Sequence, residues 1–195
     1  MTMQIIGLTG PTGAGKSTVS ARLRELGFYI ADGDAIAREV AAPGEPLLAQ
    51  LAEAFGADIL ENGVLRRREL ARRAFAGKDT LQTLNRLMHP AIEKRMFERI
   101  AAHPDCRAAV IDAAALIESG IYKRCDLVAV VTAPPEVRLA RIMARDGIGE
   151  ADALVRIGAQ HPEVFYTEKA DVVLRNFPPY SLDAEIQKLL ERLSA

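Results

Sequence analysis

The eight residues Gly10-Pro11-Thr12-Gly13-Ala14-Gly15-Lys16-Ser17 constrain this chain more than any other part of it. They follow a short apolar run, Gln4 to Leu8, and open a segment with helical periodicity from Lys16 to Glu25. Gly-x-x-x-x-Gly-Lys-Ser between a strand and a helix is the pattern of a phosphate-binding loop. Glycines at 10, 13 and 15 allow backbone conformations closed to bulkier residues, so that successive amides can turn toward one anion. The helix that starts near Lys16 adds its dipole and its unpaired N–H groups. In this reading Lys16 reaches the β- and γ-phosphates of a nucleoside triphosphate, taken as ATP, and Ser17 offers its hydroxyl to Mg2+. Gly10, Gly13, Ala14, Gly15 and Thr18 complete the expected nucleotide contacts. A chance glycine-rich turn is the competing explanation, and the strand-loop-helix context argues against it.

The rest of the chain fits the fold such a loop requires. Short β-branched runs at Tyr29 to Ala31, Ala108 to Asp112, Leu127 to Val131 and Val172 to Leu174 alternate with amphipathic stretches, which predicts parallel strands joined by crossover helices. The helices are expected at Lys16 to Glu25, Asp34 to Val40, Glu136 to Arg145 and Leu182 to Leu193. The segment 46–103 reads as helical throughout, with a turn at Glu61-Asn62-Gly63, a basic helix around Arg66 to Arg73 and a long helix from about Thr80 to Ala102. Such an insertion suits a helical subdomain near the ligand-binding edge of an open α/β sheet. The expectation is one α/β domain of the P-loop NTPase, nucleotide-kinase-like class. It has a five-stranded parallel core (1–45 and 104–195), a helical substrate-binding insertion (46–103) and a lid (138–165).

Composition narrows the partners. In 195 residues the 25 basic and 26 acidic side chains leave a formal charge of −1, so no overall field recruits nucleic acid or an anionic membrane. No apolar run approaches the roughly 20 residues that span a bilayer. The chain starts without a basic, apolar leader, and its two cysteines, Cys106 and Cys125, form no disulfide framework or metal motif. A cytoplasmic monomer acting on a small molecule is expected, with no nucleic-acid or membrane partner.

The second strand supplies chemistry. It ends in Ala31-Asp32-Gly33-Asp34, two carboxylates at a strand terminus, where one can accept the proton of an attacking hydroxyl. Either could instead cap the helix that follows, Asp32 more readily than Asp34. Asp112, closing a later strand, is the candidate second carboxylate near Mg2+, held through water. Arg138, Arg141 and Arg145 recur at helical spacing before Asp146-Gly147-Ile148-Gly149, as in a lid that closes over phosphates. The histidines at 89, 103 and 161 stand in no nucleophile motif.

Together these residues resemble the dephospho-coenzyme A kinase family, which phosphorylates the ribose 3'-hydroxyl of dephospho-CoA. The resemblance lies in Tyr29 to Val40 with its Asp-x-Asp and Ala-Arg, Gly63 to Leu70, His89-Pro90-Ala91-Ile92, and Ala170 to Asn176. It covers nearly the whole chain in order. It implies that Asp34 is the general base, that Lys16 and Ser17 serve ATP and Mg2+, that Arg141 and Arg145 act from the lid, and that Asn176 lies at the nucleotide. Arg66, Arg68, His89 and Glu118 are implied near the substrate, although His89 also fits a structural role. The family usually has Gly-Ile or a similar pair where this loop has Pro11-Thr12. It usually has Pro-Leu-Leu where this chain has Ala114-Ala115-Leu116, and a glycine-containing turn where Phe177-Pro178-Pro179 follows Asn176. A kinase of another small hydroxyl metabolite or nucleotide, or an inactive nucleotide-binding regulator, are the alternatives.

Overall fold

The computed structural model describes residues 3–194 and divides into two compact units, one running to Ala31 and resuming at His103, the other Asp32–Ala102. The first unit is built on a five-stranded parallel sheet. Its strands are β1 (Ile5–Thr9), β2 (Tyr29–Asp32), and, numbered past a small hairpin β3 (Leu60–Glu61) and β4 (Val64–Leu65), β5 (Ala109–Asp112), β6 (Leu127–Thr132) and β7 (Val172–Arg175). The spatial order is β2-β5-β1-β6-β7. All six residues of β6 are buried, as expected of a strand covered on both faces. Ile6, Leu8, Val110, Ala129, Val131 and Leu174 pack into one core with Val19 and Leu23 of α1 (Lys16–Glu25).

Two aspartates fix how the strands enter the sheet. Asp126, just before β6, accepts the Ile5 N–H of β1 at 2.7 Å, and Asp171, just before β7, accepts the Val128 N–H of β6 at 2.7 Å. Each gives an amide near the start of a strand a charge-assisted bond. The register that follows pairs Leu8 with Asp112 on one side and with Ala129 on the other.

The second unit holds α2 (Gly33–Glu39), α3 (Pro46–Phe55), α4 (Arg67–Ala74) and α5 (Lys78–Ala101). It begins at Asp32, so α2 packs with the inserted helices, chiefly α5. Arg95 ties the unit together, donating to Glu39 and, at 3.0 and 3.1 Å, to Glu45, while Arg99 donates to Glu39 at 2.6 Å. The guanidiniums of Arg99 and Arg95 hold the Glu39 carboxyl below its usual range.

One expectation fails here, because segment 46–103 is not helical throughout. Its turn closes an antiparallel hairpin, β3 against β4, with Asn62 (φ 50°) and Gly63 (φ 76°) both in the left-handed region, as a two-residue I′ turn requires. Two-residue strands carry too few positions for alternation to show in the sequence.

After β6 the chain forms α6 (Pro135–Asp146), α7 (Glu150–Gly158) and α8 (Glu163–Thr167), and after β7 it closes with α9 (Leu182–Leu193). α6 stops at Gly147, whose left-handed backbone (φ 63°) supplies the usual glycine C-cap. Glu185 of α9, 2% exposed, accepts the Arg175 N–H at 2.9 Å and a bond from Lys188, which locks α9 onto the end of β7.

Candidate active site

The end of β1 delivers Gly10 into the loop, and side chains from other elements grip the loop's carbonyls. Arg138 Nε donates to the Thr12 carbonyl at 2.8 Å. Arg141 Nη1 donates to Gly13 and Ala14 at 3.3 and 3.1 Å, and its Nη2 donates to the Asn176 carbonyl at 2.7 Å. Asn176 Nδ2 in turn donates to the carbonyls of Ala14 and Gly15 at 3.1 and 3.3 Å. In a trans peptide the C=O and the next N–H point opposite ways. Tying down the oxygens of Thr12, Ala14 and Gly15 therefore aims the amides of Gly13, Gly15 and Lys16 to the other side. The Lys16 and Ser17 amides also stand in the first turn of α1, without an i−4 carbonyl. The result is a row of N–H donors around one concavity, which is what a polyphosphate needs.

Glycine is obligatory where the loop leaves the strand. Gly10 has φ 145°, and a methyl group there would run into the Val131 carbonyl of β6. Gly10→Ala is expected to cost about 2 kcal/mol or more through backbone strain and clash, and to abolish most nucleotide binding. Urea unfolding and calorimetric ATP titration would check the two effects.

Lys16 Nζ bonds Asp112 Oδ1, and Ser20 Oγ bonds Asp112 Oδ2. The Asp112 side chain is 13% exposed and that of Lys16 23%, so the pair is partly shielded from water. Asp112 stands where the sheet register sets it, beside Leu8 and two residues short of the loop. Ser17 and Thr18 are exposed on the first turn of α1. Among the described residues no three His, Cys, Asp or Glu side chains cluster as metal ligands. Mg2+ needs no such cage, since it keeps waters and takes phosphate oxygens beside one or two protein oxygens, and the Ser17 hydroxyl with the nearby Asp112 carboxylate fits that habit.

The remaining candidates separate. Arg145 bonds its neighbour Asp146, at 2.8 and 2.9 Å, and not the loop carbonyls, and Arg156 of α7 bonds the same carboxylate. Glu118 is exposed, and its charge helps burial raise the Tyr166 pKa. In the helical unit, Asp32 caps α2, accepting the Ala35 N–H at 2.9 Å. Asp34 lies in the first turn of that helix, exposed, and its carboxylate makes no hydrogen bond among the described residues. Arg66 donates to the Asp58 carbonyl at 3.3 Å, and Arg68 is exposed. Arg72 and Arg73 belong to the structure of the unit, bonding Glu69 and, from Arg73, Asp58. Arg72 and then Arg73 pull the Glu69 pKa down to about 2. His89 is half-buried, and burial lowers its pKa. His103 stacks on Tyr29 and His161 on Phe165, each with ring centroids 3.9 Å apart.

Two residues of the site, Ser20 and Gln160, have no role in the sequence reading, and a third, Arg138, is grouped there with the other lid arginines. Ser20 carries a signal, since it lies four residues after Lys16 on the same helix face. Arg138 was visible only as one of three arginines on α6, and its burial (7% exposed) separates it from the others. Gln160, whose Oε1 accepts the Thr12 N–H at 2.7 Å, had no local signal.

A family model described as dephospho-CoA kinase matches residues 4–178. A dephospho-CoA kinase of Corynebacterium jeikeium is 42% identical over 193 residues, covering 98% of this chain and 96% of that protein. Among solved structures, a Thermus thermophilus protein superposes with a TM-score of 0.83 at 32% identity, covering 100% of this chain and 98% of the other. A dephospho-CoA kinase from Campylobacter jejuni gives 0.69 at 26% identity, with 97% and 96% covered.

Proposed function

This chain belongs to the dephospho-CoA kinase family, and from that premise we propose how its own residues carry the ATP-dependent phosphorylation of dephospho-CoA to coenzyme A. The match from residue 4 to 178, with an intact phosphate loop inside it, is the observation that carries the reading. The amides of Gly13, Gly15, Lys16 and Ser17 bind the triphosphate. Lys16 exchanges its bond with Asp112 for the β- and γ-phosphates and neutralises charge that grows as the terminal phosphoryl group leaves. Ser17, with Asp112, would hold Mg2+, which would supply further charge neutralisation.

Asp34 acts as the general base. It follows the last apolar residue of β2 by three positions, and the neighbouring Asp32 is committed to capping α2, which leaves Asp34 to accept the proton of the ribose 3'-hydroxyl. Transfer is direct and in line, with no covalent enzyme intermediate. Burial pushes the Cys125 thiol up to about 12, so it is no nucleophile near neutral pH. Arg141 and Asn176 support the nucleotide through the loop they hold. Arg145 joins the phosphates when its pair with Asp146 opens. Arg66, Arg68, His89 and Glu118 serve the acceptor, with the two arginines suited to its phosphates. We take the enzyme as a cytoplasmic monomer without a nucleic-acid partner; among the described residues no helix is long and apolar enough to cross a membrane.

An ADP-release assay across dephospho-CoA, adenosine, shikimate and gluconate tests the acceptor. Turnover is expected with dephospho-CoA at least about a hundredfold above the others, since an acceptor lacking the contacts made by the site's polar groups forfeits them. Equal turnover of another acceptor would overturn the assignment.

A further inference from the structure

Pro11 and Thr12 follow Gly10 at the start of the loop, and their backbone offers the phosphates no free N–H. Pro11 has no N–H. Thr12 has one, but it is donated to Gln160 Oε1 at 2.7 Å, and the Thr12 carbonyl is taken by Arg138 Nε at 2.8 Å. Both polar atoms of this one backbone residue are thus held by side chains that follow β6: Arg138 from within α6, and Gln160 from the connection between α7 and α8. The connection is itself stiffened. His161 stacks on Phe165 at 3.9 Å, and Phe165 meets the buried Tyr166 edge to face at 5.3 Å. Gln160, half-buried beside this stack, reaches the loop from a rigid support rather than from a free turn.

We propose that Gln160 is a positioning residue for ATP: its side-chain oxygen locks the α7–α8 connection to the Pro11-Thr12 peptide while Arg138 holds the Thr12-Gly13 peptide, and the two together set the backbone that aims the Gly13 amide at the phosphates. Gln160 touches no reacting atom; it acts through the loop. The inference rests on the reading of that loop as the ATP site. Without the acceptor oxygen the Pro11-Thr12 peptide is released while Arg138 still holds the Thr12 carbonyl, and the backbone ahead of the Gly13 amide loses one of its two anchors. One hydrogen bond of this kind is worth about a tenfold change in an equilibrium constant.

The test uses the full chain with Gln160→Met, which keeps length and bulk but removes the carbonyl oxygen, and Gln160→Glu, which keeps an acceptor oxygen at the same reach. MgATP affinity is measured by calorimetry, and KM and kcat with both substrates by steady-state kinetics. For Gln160→Met the expected result is an ATP Kd and KM about tenfold higher. KM for dephospho-CoA stays at the wild-type value, the melting temperature falls by no more than about 4 °C, and Gln160→Glu recovers most of the ATP affinity. Wild-type ATP affinity in Gln160→Met, equal weakening of both substrates, or no recovery in Gln160→Glu would each overturn the proposal. Amide exchange of the wild-type protein decides the matter should Gln160→Met not fold: slow exchange at Thr12 is expected, and exchange at the rate of an open loop counts against the bond. Failure of the wild type to phosphorylate dephospho-CoA would instead count against the acceptor assignment, while the ATP titrations still report on Gln160.

Discussion

Lys16→Ala is expected to lower turnover by roughly 10²–10³-fold, the usual effect of deleting one donor aimed at charge that develops in a transition state. The side chain has two functions in this fold, and the measurement separates them. As a structural group, Lys16 neutralises the partly shielded Asp112, which keeps Ser20 as its other partner. That role alone would make the substitution a stability defect, with a lower melting temperature and residual kcat near that of the wild type. As a catalytic group, Lys16 would leave the melting temperature within a few degrees while kcat collapses. Single-turnover kinetics together with thermal unfolding decide between them, and undiminished turnover would remove Lys16 from the mechanism.

Asp34→Asn is expected to reduce kcat by about 10²–10⁴-fold, the range for a general base, while MgATP affinity stays within about twofold. The exchange preserves shape and removes only the capacity to take a proton. Asp32→Asn is the matched control, because asparagine caps helices about as well as aspartate and the bond to the Ala35 amide survives. If Asp34→Asn kept the wild-type rate, or if the loss appeared at Asp32 instead, the assignment of the base would fall.

Where residues announce their surroundings through burial, the sequence was a sufficient guide. The three inner strands of the main sheet, β5, β1 and β6, are apolar because neighbours cover both faces, and Leu127 to Val131 could be read directly as part of such a strand. The phosphate loop was legible because its glycines answer a backbone requirement that no other residue meets. Periodicity could not separate Arg141 from Arg145, which lie four residues apart on one helix. The difference is made by what surrounds them: loop carbonyls for Arg141, the carboxylate of Asp146 for Arg145. For Asp32 and Asp34 the cap was legible and Asp32 was its favoured owner, as the bond to the Ala35 N–H bears out. Gln160 was out of reach altogether, since a glutamine 148 positions from its partner leaves no pattern in composition or spacing.

The grip of Arg138, Arg141 and Asn176 on the loop has a thermodynamic consequence. Every one of these bonds is made within the chain, so the conformational entropy of ordering the loop is lost during folding and is not charged to nucleotide binding. Affinity for the triphosphate is therefore tied to the stability of α6 and of the strand end that carries Asn176. Substitutions that loosen those elements, even ones remote from any phosphate, will register first as weaker ATP binding and only later as a lower melting temperature.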